Sequence, residues 1–161
     1  MSVTSPKRPA ALALGLVLSL TVAGGTALAA VDAAKVYAAR HDNFKKIGMA
    51  FKTINDGLKA DAPDTKAIAA QAKIINDLSG KIPSWFPKGS GPESGVKTRA
   101  KPDIWTDWAT FQASAKGLQT ESAKLQTIAL KGDVEAVKAQ VKATGKACGT
   151  CHDKFRGPEQ K

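Results

Sequence analysis

VEAVKAQVKATGKACGTCHDKF, residues 134–155, carries Val134, Val137, Val141, Thr144, Cys148, Cys151 and Phe155 at alternating steps of three and four. That spacing is an a/d seam, the stripe of a helix buried against other helices. Cys148 and Cys151 lie three apart and His152 lies four after Cys148. At about 100° per residue all three therefore share one helical face. The seam and the reactive side chains coincide, so this helix brings its chemistry into the core of whatever it packs against.

Outward from this helix D, the same periodicity recurs three times. Gly132-Asp133 separates it from a helix C that opens at Pro102, a residue suited to a first helical turn, with Asp103 adding negative charge there. Helix C places Trp105, Trp108, Phe111, Ala115, Leu118, Ser122, Leu125 and Ala129 on one stripe. Residues 80–101 hold Pro83, Pro87, Gly89, Gly91, Pro92 and Gly95 and read as a long loop. Before it, helix B spans about Asp64 to Ser79 with Ile68, Ala72, Ile75 and Leu78 inward. Helix A spans about Asp32 to Lys59 with Tyr37, Phe44, Ile47, Phe51, Ile54 and Leu58 inward, and Ala62-Pro63-Asp64 ends it. No segment alternates apolar and polar residues at the strand period. The expected fold is all-α, an antiparallel four-helix bundle. Its core is rich in alanine and thin in large side chains, so a bulky apolar cofactor would fill it.

The first thirty residues read differently. Lys7 and Arg8 precede an apolar stretch from Ala10 to Ala23, and Ala27-Leu28-Ala29 supplies the small residues a signal peptidase needs. Residues 1–29 are expected to be a cleaved secretory signal, with residues 30–161 as the mature domain. Lys7-Arg8 is not a twin-arginine pair, so export as an unfolded chain to the periplasm is expected. No later segment is long and apolar enough to span a bilayer. Composition agrees with one soluble domain: 43% hydrophobic and 24% charged residues exclude a mostly disordered chain. The formal charge of +10 falls to about +8 once Lys7 and Arg8 are removed. The lysines are spread along every helix, which argues against a nucleic-acid partner and leaves room for an acidic redox partner.

Two thiols in an oxidising compartment need a reason to exist. A thioredoxin-like pair would sit in a βαβ setting that this chain lacks. Zinc would need further ligands, and His41 is the one other histidine. A disulfide between residues i and i+3 of a helix is geometrically awkward. The spacing Cys148-Gly149-Thr150-Cys151-His152 instead suits a covalent haem c: two sulfurs reach two vinyl groups on one macrocycle edge, and the imidazole of His152 reaches the iron.

With the motif in its last helix rather than near its start, the mature chain resembles the cytochrome c′ family, the class II c-type cytochromes. The run Cys148 to Arg156 is similar to the family's ending, with a basic residue four after the histidine. Pro102-Asp103-Ile104-Trp105 resembles its start of helix C. Arg40 with Phe44 resembles its pattern of an arginine four residues before the distal residue. The resemblance implies an up-down-up-down bundle with one covalent haem in the core and a homodimer formed through helices A and B.

The sixth iron position separates the remaining functions. Methionine there would make a low-spin carrier, but Met49 falls about 140° from Phe44 on the wheel of helix A, on its wet face. His41 falls about 60° away, at the edge of the core stripe. Phe44 has no donor atom, so a five-coordinate, high-spin iron under a phenyl cover is expected. Arg40 either pairs with a haem propionate or is a solvated helix charge. Arg156 either sits near the proximal imidazole, tuning the iron, or is a solvated terminal charge. Trp85, Phe86 and Trp105 are expected to pack around the long loop and one haem edge. Electron transfer is the first function read from this set. Binding of nitric oxide or carbon monoxide at the open face is the alternative. An enzyme would need a distal acid–base group, which Phe44 does not provide.

Overall fold

The structure is a computed structural model that describes residues 1–2 and 31–159. Most of the expected export segment, with its cleavage point before Ala30, lies outside the described residues.

Four long helices dominate: α1 (Ala33–Gly57) and α2 (Thr65–Ser79), then α4 (Trp108–Leu130) and α5 (Val134–Phe155), with the single turn α3 (Asp103–Thr106) leading into α4. The described residues form no sheet; one isolated antiparallel bridge joins Ala100 to Arg156. An aspartate starts each long helix. Asp32, Asp64, Asp107 and Asp133 accept hydrogen bonds from the amides of Lys35, of Lys66 and Ala67, of Thr110, and of Ala136 respectively. These bonds satisfy amides that have no partner inside the helix. Gly132, at φ +81°, makes the left-handed turn after α4, a conformation that glycine adopts without strain.

The expected stripes face inward, but only in part are they buried: Tyr37, Phe44, Phe51, Leu58, Leu78, Trp105 and Trp108 are half-buried, and Ile104, off the expected stripe, is buried. Ile47 and Ile54 of α1, Ile68, Ala72 and Ile75 of α2, Phe111, Leu118, Leu125 and Ala129 of α4, and Val137, Val141 and Phe155 of α5 form one core. Ser122 and Thr144 are also buried, and each hydroxyl donates to a carbonyl of the preceding helical turn, Leu118 at 2.8 Å and Gln140 at 2.9 Å. Polar atoms inside the bundle are thus satisfied locally, as burial requires.

Two expectations need correction. Helix C is not continuous from Pro102: Asp107, at φ −119° and ψ 55°, breaks it, and α4 starts afresh at Trp108. The loop from 80 to 101 is not wholly irregular either. It contains short 3₁₀ turns at Ile82–Trp85 and Pro92–Ser94, each with a proline at its first or second position. It folds inward, with Phe86 and Ser90 buried. The indole N–H of Trp105 donates to the carbonyls of Phe86 and Pro87, both at 3.1 Å, holding the loop against α3.

Packing around the bundle is uneven. α1 lies on α2, α2 on α4 and α4 on α5, whereas α1 and α5 scarcely meet. A cavity of about 570 Å³ lies between them, walled also by α4 and the long loop.

Candidate haem site

The heptad register turns Cys148 and Cys151 toward this cavity, and both are half-buried free thiols. Burial raises the pKa of both, that of Cys151 to about 11, with neighbouring Cys148 adding to the rise at Cys151. Both sulfurs are therefore neutral at physiological pH. His152 stands at the cavity edge one turn after Cys148. The side chain is exposed on its outer side, yet the desolvation it does undergo holds its imidazole below the usual range, and Arg156 and Arg99 push it the same way against the weaker opposite pull of Asp153.

α1 supplies the facing wall through Tyr37, Arg40, Phe44, Ile47 and Phe51. Phe44 meets the ring of Trp85 edge-on at 5.3 Å and that of Phe86 at 6.2 Å. Phe86 in turn contacts Phe111 at 4.8 Å, and Phe111 contacts Phe155 at 5.3 Å. Edge-to-face rings thus run from α1 through the loop and α4 to the end of α5.

Arg40 is not a solvated charge. It is 4% exposed, and its guanidinium donates to the Ser90 carbonyl at 3.2 Å and to Thr98 Oγ1 at 3.1 Å while lying 4.5 Å from the centre of the Phe86 ring. Burial lowers its pKa. It fastens the long loop to α1 and lines the cavity at the same time. Arg156 also lines the cavity, from just beyond α5. Met49 points away and is 58% exposed, as its wheel position implies. His41 sits at the rim with its side chain 61% exposed and Nδ1 3.7 Å from an Asp42 carboxylate oxygen. Trp85 and Trp105 brace the loop from outside the cavity, whereas Phe86 lines it.

One cavity-lining cation escaped the sequence reading. Arg99 lines the cavity beside His152 and Arg156, and its Nε donates to the Gly157 carbonyl at 2.8 Å. No local pattern marks it, because its partner is 58 residues away.

The donor set suits haem c. Two thiols one turn apart and an adjacent imidazole open onto one largely apolar cavity, whose size is within the range of small-molecule sites. Arg40, Lys45, Arg99 and Arg156 line it, with no carboxylate among the lining residues. An apolar macrocycle bearing two carboxylates matches both the walls and the charge.

Known proteins agree with this reading. The family model for cytochrome c′ matches residues 35–156. Cytochrome c′ of Rubrivivax gelatinosus is 36% identical over 119 residues, covering 73% of this chain and 90% of that one. The solved structure of cytochrome c′ from Rhodobacter spheriodes is 30% identical with a TM-score of 0.71, covering 80% of this chain and all of that one. A nitric oxide complex of an L16I mutant of cytochrome c prime from Alcaligenes xylosoxidans superposes with a TM-score of 0.69 at 25% identity, over 78% of this chain and 97% of that one. With two cysteines set for covalent haem c in a bundle of this shape, the chain belongs to the cytochrome c′ family.

Proposed function

We propose that this chain is an exported, periplasmic electron carrier whose haem iron is held by His152 alone and is five-coordinate and high-spin. Cys148 and Cys151 hold the macrocycle by thioether bonds, Arg40 and Arg156 flank it, and Phe44 covers the distal face. When bound, the haem supplies a ferric–ferrous couple. The polypeptide does the rest: it excludes water with its aromatic wall and presents cations at the rim to an acidic redox partner.

One observation carries the coordination reading. Phe44, without a donor atom, lines the cavity from α1, while Met49 on the same helix is exposed away from it. Absorption and EPR spectra of the resting ferric protein are expected to be high-spin. A six-coordinate low-spin spectrum would overturn the assignment. The thioether assignment is tested by intact mass: one haem should stay attached through denaturation, and its loss under acid–acetone extraction would sink covalent attachment.

Binding of nitric oxide or carbon monoxide is the second reading. The open distal position supports it, as does the nitric oxide complex of the Alcaligenes relative. Catalysis is not proposed, because His41 at the solvent-exposed rim is the one imidazole besides His152. A homodimer through α1 and α2 is part of the proposal, since Met49 on α1 and Ile74 on α2 are large apolar side chains left exposed. Sedimentation of the mature protein should report twice the chain mass. The mature chain is expected to begin at Ala30, which N-terminal sequencing checks.

A further inference from the structure

Arg99 is held in place twice over. The Gly157 amide donates to the Arg99 carbonyl at 2.7 Å, the Lys101 amide donates to the Phe155 carbonyl at 3.0 Å, and Ala100 bridges Arg156 between them. The side chain is pinned as well, since Nε donates to the Gly157 carbonyl at 2.8 Å. Among the described residues neither Arg99 nor Arg156 forms a close ion pair, although Glu159 acts on Arg156 from further off, and both arginines line the cavity that His152 and the two cysteines share. One guanidinium nitrogen, Nε, serves this fastening. Two like charges placed together beside a redox centre repel one another, a cost that a neutral hydrogen-bond donor at this position would not carry.

We propose that Arg99 is a second fixed cation on the His152 side of the haem, where with Arg156 it raises the midpoint potential of the iron. One electron, delivered by a reduced partner, converts ferric to ferrous iron; no bond breaks, and the centre becomes one charge less positive. A nearby fixed cation favours the less positive state. Arg99 is half-buried, so salt screens it less than a surface lysine. This inference rests on His152 being the axial ligand, and Arg99 acts through its charge as a positioning residue that touches no reacting atom.

The test compares Arg99→Gln with Arg99→Lys in the haem-loaded protein by spectroelectrochemistry at about 0.1 M salt, where charges more than about 10 Å apart are largely screened. Arg99→Gln should lower the midpoint potential and Arg99→Lys should recover most of the loss. Lys138→Gln, at an exposed position on α5, should leave it unchanged. Hydrogen exchange at the Gly157 and Lys101 amides reports whether the fastening survives in each variant. Equal losses in both Arg99 variants would reduce the residue to a fastening and overturn the proposal. So would no loss, a rise, or an equal loss in Lys138→Gln. The EPR spectrum of each variant reports axial ligation separately, so failure of the His152 assignment would be seen as such.

Discussion

Phe44 is a packed side chain before it is the proposed distal cover. Trp85 and Phe86 hold its ring edge-on from the loop, so its position depends on residues 41 and 42 places further along the chain. If Phe44 is the distal cover proposed above, truncation to alanine removes it and leaves the framework, so Phe44→Ala should speed carbon monoxide binding to the ferrous protein by about tenfold, roughly 1.4 kcal/mol of barrier. Flash photolysis measures it, and an unchanged rate would show that access lies elsewhere. Arg40 invites the opposite kind of test. Its guanidinium is buried and holds Ser90 and Thr98, so Arg40→Met should cost stability at these oxygens rather than relieve a charge. A loss of about 2–4 kcal/mol is expected from urea unfolding, in line with leaving buried acceptors without their charged donor. The sequence marked Arg40 as one turn from the distal residue. It did not show that the charge closes on a loop 50 residues away.

The C-terminal end of α1 carries a small cluster of opposite charges. In the last two turns of α1, Asp56 sits between Lys52 and Lys59, pairing with Lys59 at 2.7 Å and with Lys52 one turn before it. Those ammonium groups lower its pKa from 3.8 to about 2. A carboxyl depressed in the folded state contributes stability that is full above 3.8 and is lost as pH falls toward 2. The group is fully exposed, so the effect is small. An NMR titration of its side-chain carboxyl should nevertheless show the midpoint well below 3.8, and Lys52→Ala should move it back up. At this scale the sequence was most readable. The heptad from Val134 to Phe155 matches α5 end to end, and α1 and α2 begin within a residue of their expected starts because aspartate caps punctuate them. The break at Asp107 was not readable. Pro102 signals a helix start, and the aspartate that caps α4 five residues later sits inside an unbroken apolar stripe. What selects the break is remote: Trp105 turns to the carbonyls of the loop, and Lys154 of α5 pairs with Asp107. Arg99 was hidden for the same reason, since a bridge between residues 100 and 156 leaves no periodic trace.

In the molecule as a whole, three helix seams are packed protein against protein, while the seam between α1 and α5 is a cavity whose walls are mostly apolar. Phe44, Ile47 and Phe51 on one side and Cys148, Cys151 and Phe155 on the other have their apolar surface turned to the same space. Covalent haem c in that space removes this surface from water and ties the closing seam to α5, at about 25 cal/mol for each Å² covered. The bundle's stability should therefore depend on haem attachment more than on any single core side chain. A Cys148→Ser/Cys151→Ser variant, purified without haem, tests this against the mature protein. Helical circular dichroism is expected to persist in part, because α2, α4 and the outer part of α5 keep their packed stripes. The urea midpoint should fall, and the transition should broaden to a smaller slope, since less surface is exposed when a looser native state unfolds. An equal midpoint and slope in the two proteins would mean that α1 and α5 close on each other unaided, and that the cavity contributes nothing to holding the bundle together.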